Sequence, residues 1–150
     1  MQDRKRRILW HGMLLFLVGL LTGLVEQAFV NPHMGLAAHL EGVMNGTFLL
    51  ALGAIWRELR LPPHLEDAAF RTALYGTWAN WGVTTLAALW GTAGMTPIAS
   101  AGRSARPWQE IVVTCGFVSV GIAMIAASAL VLYGLGRRPE PLAASSSPDC

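Results

Sequence analysis

Between Ile8 and about Val30 the chain is almost wholly apolar. As a helix such a run reaches across the ~30 Å hydrocarbon core of a bilayer. Three further apolar runs follow, at about 36–61, 69–90 and 108–135. With 53% hydrophobic and 13% charged residues in a chain of 150, the sequence is too apolar for an ordinary water-soluble domain. The expectation is an all-α membrane protein, with four transmembrane helices at about 8–30, 36–61, 69–90 and 108–135. They form one antiparallel bundle over 1–136, and the Pro/Ser/Ala-rich stretch 137–150 is a disordered tail.

The connections set the topology. Arg4-Lys5-Arg6-Arg7 precedes the first run, which is long and has no clear small-residue cleavage site, so it reads as a retained helix and not a signal peptide. Asn31-Pro32-His33 reads as a tight connection and Pro62 to Asp67 as a polar link. Gly91 to Pro107 is the longest connection and a candidate lid or entrance. Nine of the eleven Lys and Arg residues fall on one side of a four-helix arrangement: Arg4, Lys5, Arg6, Arg7, Arg57, Arg60, Arg71, Arg137 and Arg138. Only Arg103 and Arg106 fall on the other. Positive charge collects on the cytoplasmic side, so both termini are expected there, in a bacterial-type inner (cell) membrane.

Several functions are excluded. The net charge of +2 is small and its basic residues flank apolar runs, which argues against nucleic acid as a partner. Cys115 and Cys150 form no disulfide framework or zinc pair, and no Cys-x-x-Cys-His attaches haem covalently. No Walker loop, Gly-x-Ser-x-Gly or His-Glu-x-x-His occurs.

The candidate chemistry concentrates in Met34–Thr47. Polar side chains near or inside a membrane are expensive and usually have a partner or a task. On a helix His39, Gly42 and Gly46 share one face, at i, i+3 and i+7. An imidazole above two bare backbone positions suits a flat group such as haem, with His39 as metal ligand and Gly42 and Gly46 as its bed. The same glycines also match a helix-packing motif that needs no cofactor. Asn45 lies round the helix from that face, so a site using both His39 and Asn45 falls between helices or subunits. Glu41 also faces away from His39, to pair with a basic residue near the interface or to orient a neighbouring imidazole. On the third helix Gly76, Asn80 and Thr84 make a semi-polar stripe at i, i+4, i+8, flanked by Trp78 and Trp81. An amide and a hydroxyl among indoles suit a small aromatic ligand with one polar substituent. A packing face with interfacial tryptophans is the plainer reading. His11 is read as a residue at the membrane surface, with second haem ligand or proton relay as alternatives.

The run Asn31-Pro32-His33-Met34-Gly35-Leu36, then His39-Leu40-Glu41-Gly42-Val43-Met44-Asn45-Gly46, resembles the hydroxylaminobenzene mutase family. Trp78-Ala79-Asn80-Trp81-Gly82 fits it as well. The similarity runs from His11-Gly12 to about Thr92 and fades beyond. More distantly the chain is similar to membrane-bound styrene oxide isomerases, which share a histidine, an asparagine six residues later, and Trp-x-Asn on the third helix. The resemblance implies a homotrimer of four-helix subunits with haem b between neighbours, His39 as axial ligand and Asn45 near the open face of the iron. That isomerase branch carries an aspartate and a tyrosine where Gly76 and Thr84 stand here, which favours the mutase branch.

The expected function is therefore a membrane isomerase that turns an aryl hydroxylamine into a 2-aminophenol by intramolecular hydroxyl transfer, with ferric haem b as Lewis acid. Asn45, Asn80 and Thr84 are expected to act at the N–OH group, and Trp78 and Trp81 to flank the ring. The alternatives are a haem-dependent epoxide isomerase, a bis-histidine cytochrome using His39 and His11, and a small exporter titrating Glu26 or Glu41.

Overall fold

The computed structural model describes residues 2–100 and 102–137. The expected tail lies, apart from Arg137, outside the described residues. In chain order come α1 (Gln2–Val25), α2 (Pro32–Ile55), α3 (Pro63–Trp90) and α4 (Pro107–Gly136). Short 3₁₀ turns at Glu26–Ala28 and Trp56–Glu58 finish the first two, and no strand occurs among the described residues.

Three of the helices start on a proline, Pro32, Pro63 and Pro107. Proline lacks the N–H that a first turn leaves unpaired anyway, and its fixed φ suits helix entry. That is why α2 and α3 begin before their apolar patterns do. Asn31 completes the start of α2: its Oδ1 accepts from Met34 N at 3.3 Å. Its amide also donates to Ala99 O at 2.8 Å, fastening the long connection to this end of the bundle. α1 likewise starts earlier than its apolar run, because Arg4 pairs with Glu66 (3.7 Å) and Asp67 (3.3 Å) at the start of α3.

Neighbouring helices run antiparallel. Along α1, Gly12, Gly19 and Gly23 meet Leu50, Gly42 and His39 in turn, a falling series on α2. Trp56 packs on Phe70 and Glu41 reaches Asn80. Gly76 meets Met124, and Val83 meets Gly116. Arg60 is bonded through its backbone N–H to Gly134 O at 3.1 Å, which brings the far end of α4 back to the basic end. Two apolar clusters close the ends of the bundle. One is built on Ile8, Leu15, Leu49, Trp56 and Phe70, the other on Met34, Ala87, Ala88 and Val113.

Three segments are long and apolar enough to cross a membrane: Asp3–Ala28, Pro32–Glu58 and Pro107–Gly136. Three of the four helices expected to cross thus qualify by length and composition, and α3 does not meet that standard. It carries Glu66, Asp67 and Arg71 in its opening turns and a series of hydroxyls beyond them. Those hydroxyls are satisfied within the helix. Thr72, Thr77, Thr84 and Thr85 each donate to the carbonyl four residues back, at 2.7–2.8 Å. A polar helix can thus sit among apolar neighbours without exposing donors.

The Gly91–Pro107 connection is fastened at both ends. Gly91, at φ 68°, ends α3 in the left-handed conformation that glycine adopts without strain. Glu110 near the start of α4 accepts from the backbone N–H groups of Ala93 (2.9 Å), Gly94 (2.8 Å) and Ala105 (3.3 Å).

Candidate active site

The glycine face of α2 is filled by α1. A Cβ on Gly46 would stand 2.5 Å from Phe16 N, and one on Gly19 would stand 2.5 Å from Val43 N. The two backbones meet where glycine alone fits, as in small-residue packing of membrane helices. This corrects the reading of Gly42 and Gly46 as the bed of a flat cofactor: their bare backbone is covered by α1.

His39 belongs to the same face. Its ring lies over Gly23, where a Cβ would come 2.6 Å from Nδ1. Nδ1 is 2.8 Å from Gly19 O. A carbonyl oxygen only accepts, so Nδ1 carries the hydrogen, and in the neutral ring Nε2 keeps its lone pair. A ring held in this way by a backbone carbonyl is the arrangement in which imidazole serves as a metal ligand. The residue is half-buried. His11 does not join it: the ring packs on Trp78, centroids 6.2 Å apart, roughly 12 to 18 Å along α1 from the turns that receive His39. A bis-histidine site within one subunit is thereby ruled out.

The other face of α2 is polar and turned to α3. Glu41 Oε2 accepts from Asn45 Nδ2 at 3.1 Å and from Asn80 Nδ2 in a short bond. Asn45 is buried, and Glu41 and Asn80 are half-buried. The structure thus joins Asn45 and Asn80 through a residue that the sequence reading left as a supporting group. The i, i+4 spacing of Glu41 and Asn45 was the available signal. Neither asparagine Oδ1 has a protein partner among the described residues.

Trp81 links this face to α1. Its indole N–H donates to Thr22 Oγ1 at 3.2 Å, and its ring edge lies against Gly42. Trp78 stands edge-on to Trp81 with centroids 6.0 Å apart, and its indole nitrogen is buried without a partner among the described residues. Trp81 also lines an open apolar groove of about 450 Å³ with Ala79, Gly82, Val83, Thr85 and Leu86, large enough for a small aromatic molecule. The stripe expected on α3 divides. Gly76 faces Met124 of α4. Thr84 is buried and donates its hydroxyl hydrogen to Asn80 O at 2.8 Å. The Thr84 hydroxyl hydrogen is thereby committed to the helix turn that carries Asn80.

Among the described residues no three His, Cys, Asp or Glu side chains gather as a metal site. A cofactor requiring one protein ligand is the kind that the His39 geometry suits.

The described residues thus form an apolar helical bundle with one oriented imidazole and one amide–carboxylate cluster. A model of the styrene oxide isomerase family matches residues 4–136, and the chain belongs to that family. The match takes in α4, so the likeness extends further than the motifs on the first three helices suggested. The chain is similar to two proteins of Ectopseudomonas oleovorans. It is 47% identical over 135 residues to hydroxylaminobenzene mutase HabB, covering 89% of this chain and 82% of that protein. It is 44% identical over 127 residues to hydroxylaminobenzene mutase HabA, covering 84% of this chain and 94% of that protein. No solved structure matches the chain. The protein is an enzyme of the isomerase class, a mutase.

Proposed function

We propose that the protein rearranges an aryl hydroxylamine, such as hydroxylaminobenzene, to the corresponding 2-aminophenol by intramolecular hydroxyl transfer. The cluster of Glu41, Asn45 and Asn80 between α2 and α3 carries this reading, in a chain whose relatives bear the mutase name. The N–O bond breaks, oxygen joins the ortho carbon, and the proton lost from that carbon balances the one gained by nitrogen. No electron enters or leaves. Asn45 and Asn80 orient the N–OH group through their amides. Trp78 and Trp81 flank the ring and keep bulk water from capturing the electron-poor ring at another carbon. Apolar side chains exposed along α1 and α4, among them Leu17, Leu24, Ile122, Ile125 and Leu132, face lipid, into which small aryl substrates partition.

His39 fits a single-ligand haem b through Nε2, and when bound that group supplies a Lewis acid for the oxygen. Because α1 covers Gly42 and Gly46, His39 would hold such a group off that glycine bed, toward a neighbouring subunit of a homotrimer. All four helices lie in the bilayer of a bacterial inner membrane. The basic end (Arg4, Arg57, Arg60, Arg71, Arg137) and both termini face the cytoplasm.

The test takes detergent-purified protein. Incubated with hydroxylaminobenzene under nitrogen without reductant, it is expected to yield 2-aminophenol, and its spectrum is expected to show a Soret band that His39→Ala loses. Active preparations with no such band, or unchanged turnover in His39→Ala, overturn the haem assignment. Absence of product overturns the reaction.

A further inference from the structure

We infer that Glu41 is a specificity-determining positioning residue: it holds the amino groups of Asn45 and Asn80, so that their two Oδ1 atoms are the acceptors offered to substrate. The site then selects aromatic substrates carrying N–H and O–H donors over substrates that can only accept. The inference rests on the aryl hydroxylamine reading and adds the reason for its substrate class.

An asparagine amide has a donor end and an acceptor end, and a freely turning one presents either. Glu41 removes that freedom at two residues at once. Its Oε2 accepts from Asn45 Nδ2 at 3.1 Å on its own helix and from Asn80 Nδ2 on the neighbouring one. As a carboxylate, Glu41 accepts and does not donate, and it is the two amino groups that face its Oε2. Both Oδ1 atoms are left without a protein partner among the described residues. Neither Oδ1 is among the buried atoms left unpaired, so both acceptors stay accessible to a ligand that donates.

A hydroxylamino group brings two donors, N–H and O–H, to these two acceptors. An epoxide oxygen brings none and would need an amide turned the other way. Asn45 is fixed from α2 and Asn80 from α3, so the pair also sets the separation of the acceptors across the seam. Glu41 acts through the asparagines and need not touch the substrate. Thr84, donating to Asn80 O, steadies the same turn of α3.

The experiment uses the full-length purified protein with Glu41→Leu, Glu41→Gln and Glu41→Asp. Leucine releases both amides. Glutamine restores a hydrogen-bonding group but can present either end, and aspartate keeps the polarity at shorter reach. Binding is read by the change in tryptophan emission, which needs no turnover, with N-methylaniline (one N–H) and N,N-dimethylaniline (no donor). The parent protein is expected to prefer N-methylaniline about tenfold, as one well-made hydrogen bond allows. Glu41→Leu is expected to bring that ratio close to one, Glu41→Gln to lower it and Glu41→Asp to keep most of it. In parallel, kcat/KM for hydroxylaminobenzene is expected to fall in Glu41→Leu relative to that for styrene oxide, chiefly through KM.

A parent-like binding ratio in Glu41→Leu overturns the inference. If that variant does not fold, Glu41→Ala, which also removes the acceptor, is read in its place, and a parent-like ratio there does the same. Were the parent protein to show no mutase activity while the binding ratio still collapsed in Glu41→Leu, the reaction assigned above would fall and the role of Glu41 would stand.

Discussion

The two seams that α2 makes with its neighbours are built on opposite principles. Toward α1 it presents Gly42 and Gly46, and the backbones close until Cβ atoms have no room. Toward α3 it presents Glu41 and Asn45, and the space is held by hydrogen bonds across to Asn80. In lipid, apolar faces gain little by leaving one another's company for acyl chains, so helices associate through close packing and through polar bonds. This protein uses one device on each side of a single helix. The glycine seam leaves no room for a side chain between the two backbones. The polar seam offers groups with hydrogen-bonding capacity left over, and that capacity is what a substrate can use. His39 stands on the first seam and is held by it, its Nδ1 against Gly19 O.

Substitutions at the two seams should therefore fail in different ways. The largest effect is expected for Gly46→Leu, whose Cβ would already collide with Phe16 N. Destabilisation of about 3 kcal/mol or more should appear in detergent melting curves, with activity lost along with the fold. An unchanged melting curve would break the contrast at once. Asn80→Ala should come next and invert the pattern. It should lower kcat/KM for hydroxylaminobenzene by about a hundredfold, the range for losing one group that orients or stabilises a reacting atom, while stability changes by only about 1 kcal/mol. Should Asn80→Ala melt as early as Gly46→Leu, the polar seam is a structural device after all. Thr84→Val sharpens the boundary of the site and is expected to do least. Its hydroxyl serves the helix, so kcat should stay within about twofold of the parent.

Much of the frame was legible along the chain. Hydropathy located four helices, and the spacing of His39, Gly42 and Gly46 placed them on one face. The structure supports that face but gives it to α1, since periodicity tells which residues point together and not what they meet. The early starts of α2 and α3 were missed for a related reason. Hydropathy assigns Pro32 and Pro63 to the connections, whereas proline at the first helical position is favourable. α3 was expected to cross the membrane like the rest, but its charges and hydroxyls set it apart among the four. Glu41 was visible as a carboxylate in an apolar helix and its partner Asn45 lay one turn away. Its link to Asn80 was not visible, because no local rule ties residues on separate helices.

The amino-acid order by itself determined the helical class, the succession of helices, the basic end and the identity of the candidate groups. These follow from length, apolar content and period, which act over a few turns of one chain. Only the tertiary structure decided which groups belong together. It packed the glycines against α1, bonded the amides through Glu41, turned the Thr84 hydroxyl back onto its own helix, and parted His11 from His39. Those outcomes depend on contacts between residues distant in sequence, where the close fit of backbones and the need to satisfy each buried polar atom select one arrangement among several that the pattern allows.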